Sequence, residues 1–484
     1  MDKKKIYGLL GILIIFSGLV FLWIDGDCND KHLDTYNEKI DVYEKNSYQD
    51  LESQTNRVSF EFMWRPRVTE EMKLIMIYDF EYLVELVLQN VPSLGVFERR
   101  FGLPLEEAFF EMSNLIYNLE PIDSEGFTEE SNLSWAATHL NQLLELFAMR
   151  VSRMAHFGPA FPTLYRNWVE VNLAGKHQSE VIEGRIILNG EDLGDADEFM
   201  RSIEPLMREE TLRFYNIDID HLNLYRDLNF AFEIPGNVIT NIDVDNSIAF
   251  LRILDFLICP VFDSEVLFPF YESIQDFEHL IIDLRGNGGG FPTYFLDYIV
   301  AMLIDSPIEA TINEFFASGE IAIQTANNNL NFHITRGQGE KIIDANEFMK
   351  NNDLPYLSDS DLEILPYLIQ WNWIINPRED NIPFDGQIWL LVDENSMSAS
   401  EFAALFSVKS QFATVVGTQT GRVSPAMTHE FALPNTGIIF RFDTGLVVDD
   451  LGRSIDEFGV VPDIIIDRDA DALDLVIEII KSYR

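Results

Sequence analysis

The sequence predicts an α/β protein: a βαβ core behind an N-terminal helical domain, with a single N-terminal transmembrane helix. Three observations carry this. From Gly236 onward strand-like runs alternate with helical ones (SIAFLRI, HLIIDL, FLDYIVAMLI, QIWLLV, SEFAALFSV, FATVVG), the pattern of a largely parallel sheet covered by helices. Between Glu70 and Asn167 the apolar residues recur at three- and four-residue intervals, as on the buried face of amphipathic helices. Residues 6–24, IYGLLGILIIFSGLVFLWI, carry no charge and are long enough for a tilted membrane-spanning helix.

Taken in chain order, Lys3, Lys4 and Lys5 precede the apolar stretch and the acidic DGDCND follows it. The positive-inside rule then predicts a cytoplasmic tail at 1–5, an anchor at 6–24 and an extracytoplasmic main domain. A cleaved signal peptide has a shorter apolar region and a small-x-small cleavage site, and neither is present. Residues 25–58 are polar and acidic, as in a stalk. The helical domain is expected over 59–167, and a small mixed module over 168–235, where short apolar runs alternate with turn signals. The α/β core fills 236–484, with a polar, Asn-rich insertion or cap at about 306–385.

Composition excludes whole classes of function. The chain has 484 residues, with 34 Lys plus Arg against 80 Asp plus Glu. A net charge of −46 repels phosphate backbones, so no nucleic-acid partner is expected. The two cysteines, Cys28 and Cys259, are far apart and lack metal-ligand spacing, so neither a disulfide framework nor a structural metal is indicated. Asp25, Gly26 and Asp27 before Cys28 are not the small apolar residues of a lipoprotein signal.

Three segments are candidates for chemistry. In HLIIDLRGNGGG a buried-strand pattern runs into Gly286–Gly290. Phe291 stands where a dinucleotide fingerprint needs glycine, and no G-K-[S/T] follows, so both nucleotide readings fail. The N–H groups of such a loop can point at an anion or a polarised carbonyl, or its glycines simply make a tight turn. The second segment, ENSMSASEFAAL, follows the strand-like IWLLV. Ser398 and Glu401 read locally as an S-x-x-E capping box. A serine at a strand-to-helix junction also sits where the helix dipole and a free amide favour an oxyanion. The third is the tail, ALPNTGIIFRF followed by GRSIDEFGVVPDIII.

Together, D-x-R-x-N-G-G-G (Asp283–Gly290), S-A-S-E (Ser398–Glu401), G-x-x-T-G (Gly417–Gly421) and G-V-x-P-D (Gly459–Asp463) resemble the tail-specific, carboxyl-terminal processing serine proteases of peptidase family S41. The tricorn core protease and the repeats of the interphotoreceptor retinoid-binding protein are relatives. The resemblance implies a Clp protease/crotonase-like core, a polypeptide substrate or peptide ligand, and no cofactor. It implies Ser398 as nucleophile, with an oxyanion hole from the N–H of Ala399 and that of Gly288 or Gly289. Many relatives carry a peptide-binding PDZ-type module, for which 168–235 is the candidate stretch.

The base distinguishes this chain. Ser/Lys members place a lysine in a G-x-x-T-F-G-K-G turn, where desolvation lets it act as general base. Here the turn reads GTQTGRVSPA, and Arg422 stays protonated. Lys409 is about three turns along the helix after Ser398. The pattern therefore resembles the tricorn-like branch, which uses a histidine from the N-terminal part and a glutamate before G-V-x-P-D. That implies His156 as base, with Glu457 or Asp456 holding it in place. His429 is the rival base. A relative that keeps the fold and binds peptide without cleaving it is the alternative.

Overall fold

The structure is a computed structural model that describes residues 64–151, 156–160, 179–182, 185–188, 191–195, 209–216, 236–256, 260–334 and 339–482. The expected anchor, the stalk and both cysteines lie outside these residues. Among the described residues no helix is long and apolar enough to cross a membrane.

Four helices build the N-terminal unit: α1 (Glu70–Asn90), α2 (Leu94–Phe101), α3 (Leu105–Tyr117) and α4 (Glu129–Arg150). Thr69 and Thr128 cap α1 and α4 by accepting from the amides of Met72 and Ser131. On α1, Met72, Met76, Phe80, Leu83 and Val87 recur at steps of three and four and are buried. Each contributes roughly 1.5–3 kcal/mol of gross burial. They pack on Phe109, Met112 and Ile116 of α3 and on Leu140, Leu144 and Phe147 of α4. Phe80 and Phe109 meet edge to face at 5.9 Å.

This helical core also takes in chain from far downstream. Strands β13 (Thr428–Ala432) and β14 (Ile439–Asp443) form a hairpin whose Phe431, Phe440 and Phe442 are buried among the helical residues. Its tip is clamped by buried Asp79 of α1, which accepts from Asn435 N and Nδ2 and from Thr436 N and Oγ1 at 2.6–3.0 Å. The short strand β1 (Gly158–Pro159) pairs antiparallel with β14, giving the order β1-β14-β13. The expected boundary near residue 236 is therefore crossed in space by the hairpin.

In the stretch 168–235 the described residues form an antiparallel meander, β2 (Ser179–Ile182), β3 (Arg185–Leu188) and β4 (Glu191–Asp195), and helix α5 (Glu209–Phe214). The α/β core follows: β5 (Val238–Asp243), β6 (Ile248–Ile253), α6 (Pro260–Ser273) and β7 (His279–Asp283), then the helical run α7 over 292–303. Strands β11 (Gln387–Val392), β12 (Thr414–Gly417) and β16 (Ile464–Ile465) complete a sheet of order β16-β12-β11-β7-β6-β5. It is parallel except at β5. Period-two alternation explains its two faces. Leu280, Ile282, Ile388 and Leu390 face α6, α7 and α11 (Ala399–Ser410), whereas Ile281, Trp389 and Leu391 face α13 (Ala472–Ser482).

The stretch 306–385 builds a second sheet. Its β8 (Ile308–Phe316), α8 (Glu320–Ile334), β9 (Gly339–Asp344), α9 (Ala345–Met349), α10 (Asp359–Ile364) and β10 (Tyr367–Ile375) join β15 (Gly445–Val448), in the order β15-β8-β10-β9. Ile312, Phe316 and Trp371 of this sheet share the main core with Phe402 and Phe406 of α11. Helix α11 is thus enclosed, buried from Ala399 through Ser407. Helix α12 (Ile455–Phe458) precedes the G-V-V-P-D segment.

Candidate active site

The three serines after β11 have three different roles. Ser396 is fully buried, and its hydroxyl donates to Leu284 O at 2.8 Å, tying the turn to the end of β7. Ser400, also fully buried, donates to Asn287 Oδ1 at 2.8 Å. Ser398 alone of the three is partly exposed, and it has φ 53° and ψ −116°. A non-glycine residue at positive φ costs on the order of 1–3 kcal/mol, which the surroundings must offset. Its amide is held by Val423 O at 2.9 Å and by Glu401 Oε2 at 3.2 Å. The Glu401 contact is the carboxylate arm of the expected capping box, while the Ser398 hydroxyl makes no side-chain cap bond.

Glu401 is the anchor of this turn. Its fully buried carboxylate also accepts from Thr420 Oγ1 (2.5 Å), Arg422 N (2.9 Å) and Val423 N (2.8 Å). Burial pushes its pKa up to about 8, and these donors oppose that shift. The G-x-x-T-G turn is therefore folded around a side chain of α11. Arg422, at φ 66°, occupies the place of the lysine expected in Ser/Lys members. Lys409 pairs with Asp450.

The glycine loop lies directly against the nucleophile candidate. Asn287 shapes it: Oδ1 accepts from Gly289 N at 2.9 Å, Nδ2 donates to Ile253 O, and the carbonyl accepts from Met397 N. Gly289 has φ 103°, and a Cβ there would stand 2.7 Å from Met397 O and from Ser398 Cβ. Only glycine fits that approach. Because the Gly289 amide is used by Asn287, Gly288 is the glycine whose N–H, like that of Ala399 at the first turn of α11, donates to no described group. Gly288 is exposed and Ala399 is buried.

His156 sits two residues before β1, beside Asp443 at the end of β14. Its Nδ1 is 2.9 Å from Asp443 Oδ1 and 3.1 Å from Oδ2, and its backbone N–H donates to Oδ2 at 3.3 Å. Thr428 Oγ1 donates to Asp443 Oδ1 at 3.0 Å, fixing the carboxylate from the other side. Engagement of Nδ1 sets the tautomer and leaves Nε2 for a proton. Burial lowers the imidazole's affinity for a proton, but the charge and hydrogen bond of Asp443 outweigh it, so His156 titrates above its ordinary value.

The two carboxyl groups expected to hold the base are separated. Asp456 is buried, accepts from Ser424 N at 3.1 Å, and lies within electrostatic range of His156 and Asp443. Burial, reinforced by Asp443, pushes it up to about 7. Its Oδ2 and the Ser424 hydroxyl are both buried without a partner among the described residues. Glu457 instead makes a forked ion pair with Arg99, whose Nε and Nη2 stand 2.8–3.0 Å from its carboxylate. His429 packs between Phe431 and Phe442, and burial lowers it to about 4. Alternation along β13 aims it away from the face where Thr428 meets Asp443.

Asp443 is the site residue that the sequence did not disclose. Its only local signal is a carboxylate ending the strand IIFRFD just before a Thr-Gly turn. Among the described residues no group of three His, Cys, Asp or Glu side chains is arranged to hold a metal ion.

No curated protein sequence matches the chain. Among solved structures, a putative peptidase from Parabacteroides merdae ATCC 43184 is 14% identical, with TM-score 0.42 over 83% of this chain and 96% of that one. Mature CPAF complexed with lactacystin is 16% identical, with TM-score 0.46 over 85% and 97%. The photosystem II D1 C-terminal processing protease is 14% identical, with TM-score 0.37 over 83% and 94%. The sequence model of peptidase family S41 matches residues 247–466. That span contains the glycine loop, the Ser398 turn and G-V-V-P-D but not His156; over it, the chain is similar to peptidase family S41.

Proposed function

We propose that this protein is a serine peptidase with a Ser398–His156–Asp443 catalytic set. The observation that carries the reading is the Asp443 carboxylate 2.9 Å from His156 Nδ1, because it supplies an oriented base in a chain whose lysine position is Arg422. In this mechanism Ser398 Oγ attacks the scissile carbonyl while His156 Nε2 takes its proton. Gly288 and Ala399 N–H groups stabilise the tetrahedral oxyanion. His156 returns the proton to the leaving amine, and water activated by the same imidazole releases the acyl group from Ser398. Asp456 is common to both halves, since it acts on the imidazole through space and its carboxylate accepts from Ser424 N in the turn whose Val423 O holds Ser398 N.

The substrate is a polypeptide, and the expected N-terminal helix anchors the protein with its Clp/crotonase-like core outside the cytoplasm. The test is labelling of the full-length chain by a fluorophosphonate, together with hydrolysis of an unstructured peptide mixture. Labelling and cleavage that both vanish in Ser398→Ala support the peptidase. Peptide binding with no Ser398 adduct and no cleavage supports instead the non-catalytic binding protein.

A further inference from the structure

The proposed site is assembled from two halves that belong to different cores. His156, Asp443 and Thr428 stand on the β1-β14-β13 sheet, whose apolar face is part of the helical core. Ser398 and the glycine loop stand on the α/β core. A base and a nucleophile on separate bodies need something that fixes their separation, because a misplacement of about 1 Å costs on the order of 10²-fold in rate.

Helix α2 is placed to do this. On one side, Phe97 packs at 6.2 Å on Phe147, which packs at 6.1 Å on Phe157, the neighbour of His156. It also presents Arg99 and Arg100. Arg99 holds Glu457 through Nε and Nη2, and Asp361 of α10 through Nη1 at 3.0–3.1 Å. The carboxylates of Glu457 and Asp361 are nearly fully buried, so this forked double pair is shielded from solvent. Arg100 Nη1 donates to Asp456 O at 2.7 Å. Asp456 Oδ1 then accepts from Ser424 N, and the adjoining Val423 O holds Ser398 N. Every link from α2 to the nucleophile is thus a hydrogen bond or a covalent bond.

We propose that Arg99 and Arg100 are positioning residues that align His156 with Ser398 by clasping the Asp456–Glu457 turn to the helical unit. The proposal rests on the peptidase reading above. It assigns Glu457 to the clasp rather than to the imidazole. Burial and the nearby Arg422 lower Arg100 to about 10, so its charge persists at neutral pH.

The experiment measures steady-state hydrolysis of fluorescein-labelled casein by the full-length chain and by Arg99→Gln, Arg99→Lys, Arg100→Gln and Arg100→Lys, with thermal midpoints alongside. The expected result is a kcat loss of roughly 10- to 100-fold in the Gln variants, with KM within about twofold. Arg100→Lys recovers part of the loss, because it keeps one charged donor for Asp456 O. The acidic limb of the Arg100→Gln pH profile shifts, because the positive charge that acts on Asp456, itself in electrostatic contact with His156, is gone. Gln variants with unchanged kcat and pH limb in an active wild type overturn the clasp alone, as does a loss that tracks only the folded fraction. Equal hydrolysis by wild type and Ser398→Ala overturns the peptidase reading and the clasp with it.

Discussion

His156 and Asp443 are 287 residues apart in sequence and 2.9 Å apart across the β1–β14 pair. The carboxylate takes Nδ1, so its removal changes both the tautomer and the charge of the imidazole. Asp443→Asn is expected to lower kcat by on the order of 10³–10⁴, as loss of the orienting acid does in serine-protease triads. Asp443 raises His156 against a burial effect that lowers it, so the acidic limb of the activity profile must also move down in the variant. A kcat–pH profile of Asp443→Asn with an unmoved limb and near-normal rate excludes Asp443 from the catalytic set.

Adjacent glycines give a sharper test of the oxyanion assignment. A Cβ on Gly289 meets Met397 O and Ser398 Cβ at 2.7 Å, and its φ of 103° is strained for any L side chain. Gly289→Ala is expected to destabilise the fold by about 1–3 kcal/mol and to abolish fluorophosphonate labelling of Ser398. Gly288 has open space around its Cα and no such φ, so Gly288→Ala keeps its N–H and should retain labelling. The reverse order in a labelling gel rules out this loop geometry.

How much of this was legible in the sequence follows from the range of the interactions. The β7 and β11 strands, the glycine loop and the Ser398 turn are set by local pattern, and each appears where the alternation and turn residues put it. Ser398 is set apart from Ser396 and Ser400 by neighbours that the motif already contained. Asp443 was not legible, because an acidic residue ending a strand means nothing until β1 is paired with β14. Glu457 looked like a partner for the base because it precedes G-V-V-P-D. Arg99, which claims it, lies 358 residues away with no pattern linking the two. Likewise, the polar stretch 306–385 reads as an insertion until the nine-residue pairing of β8 with β10 makes it half of the wall around α11.

The hairpin clamp makes a stability prediction independent of chemistry. Asp79 satisfies two backbone amides, a hydroxyl and a side-chain amide at the β13–β14 tip. Asp79→Ala leaves those donors unpaired, the two on Thr436 buried and the two on Asn435 partly so, at roughly 1–3 kcal/mol for each one that water does not reach. A loss of about 2–4 kcal/mol in urea unfolding is expected, with Asp443 loosened and kcat reduced alongside. A variant as stable as wild type shows that the hairpin is held by Phe431, Phe440 and Phe442 alone.

The titratable groups fix the direction in which stability runs with pH. Burial raises Asp456 and Glu314 from the usual carboxyl range to about 7. Between the unfolded value near 4 and that folded value, the native state binds more protons than the unfolded one, so stability falls as pH rises. His156, raised by Asp443 above its ordinary 6.5, acts in the same direction: its contribution is present below 6.5 and is lost as pH rises through the folded value. Asp471, lowered by Arg285, has the opposite sign but acts only below its ordinary 3.8. His429, lowered by burial to about 4, also has the opposite sign and offsets part of this decline up to pH 6.5, so the melting temperature should fall most clearly between pH 6.5 and 8. Asp456→Asn should flatten that decline, because its amide does not ionise. A melting curve flat or rising from pH 5 to 8 in the wild type is incompatible with buried, proton-retaining carboxyls at these two positions.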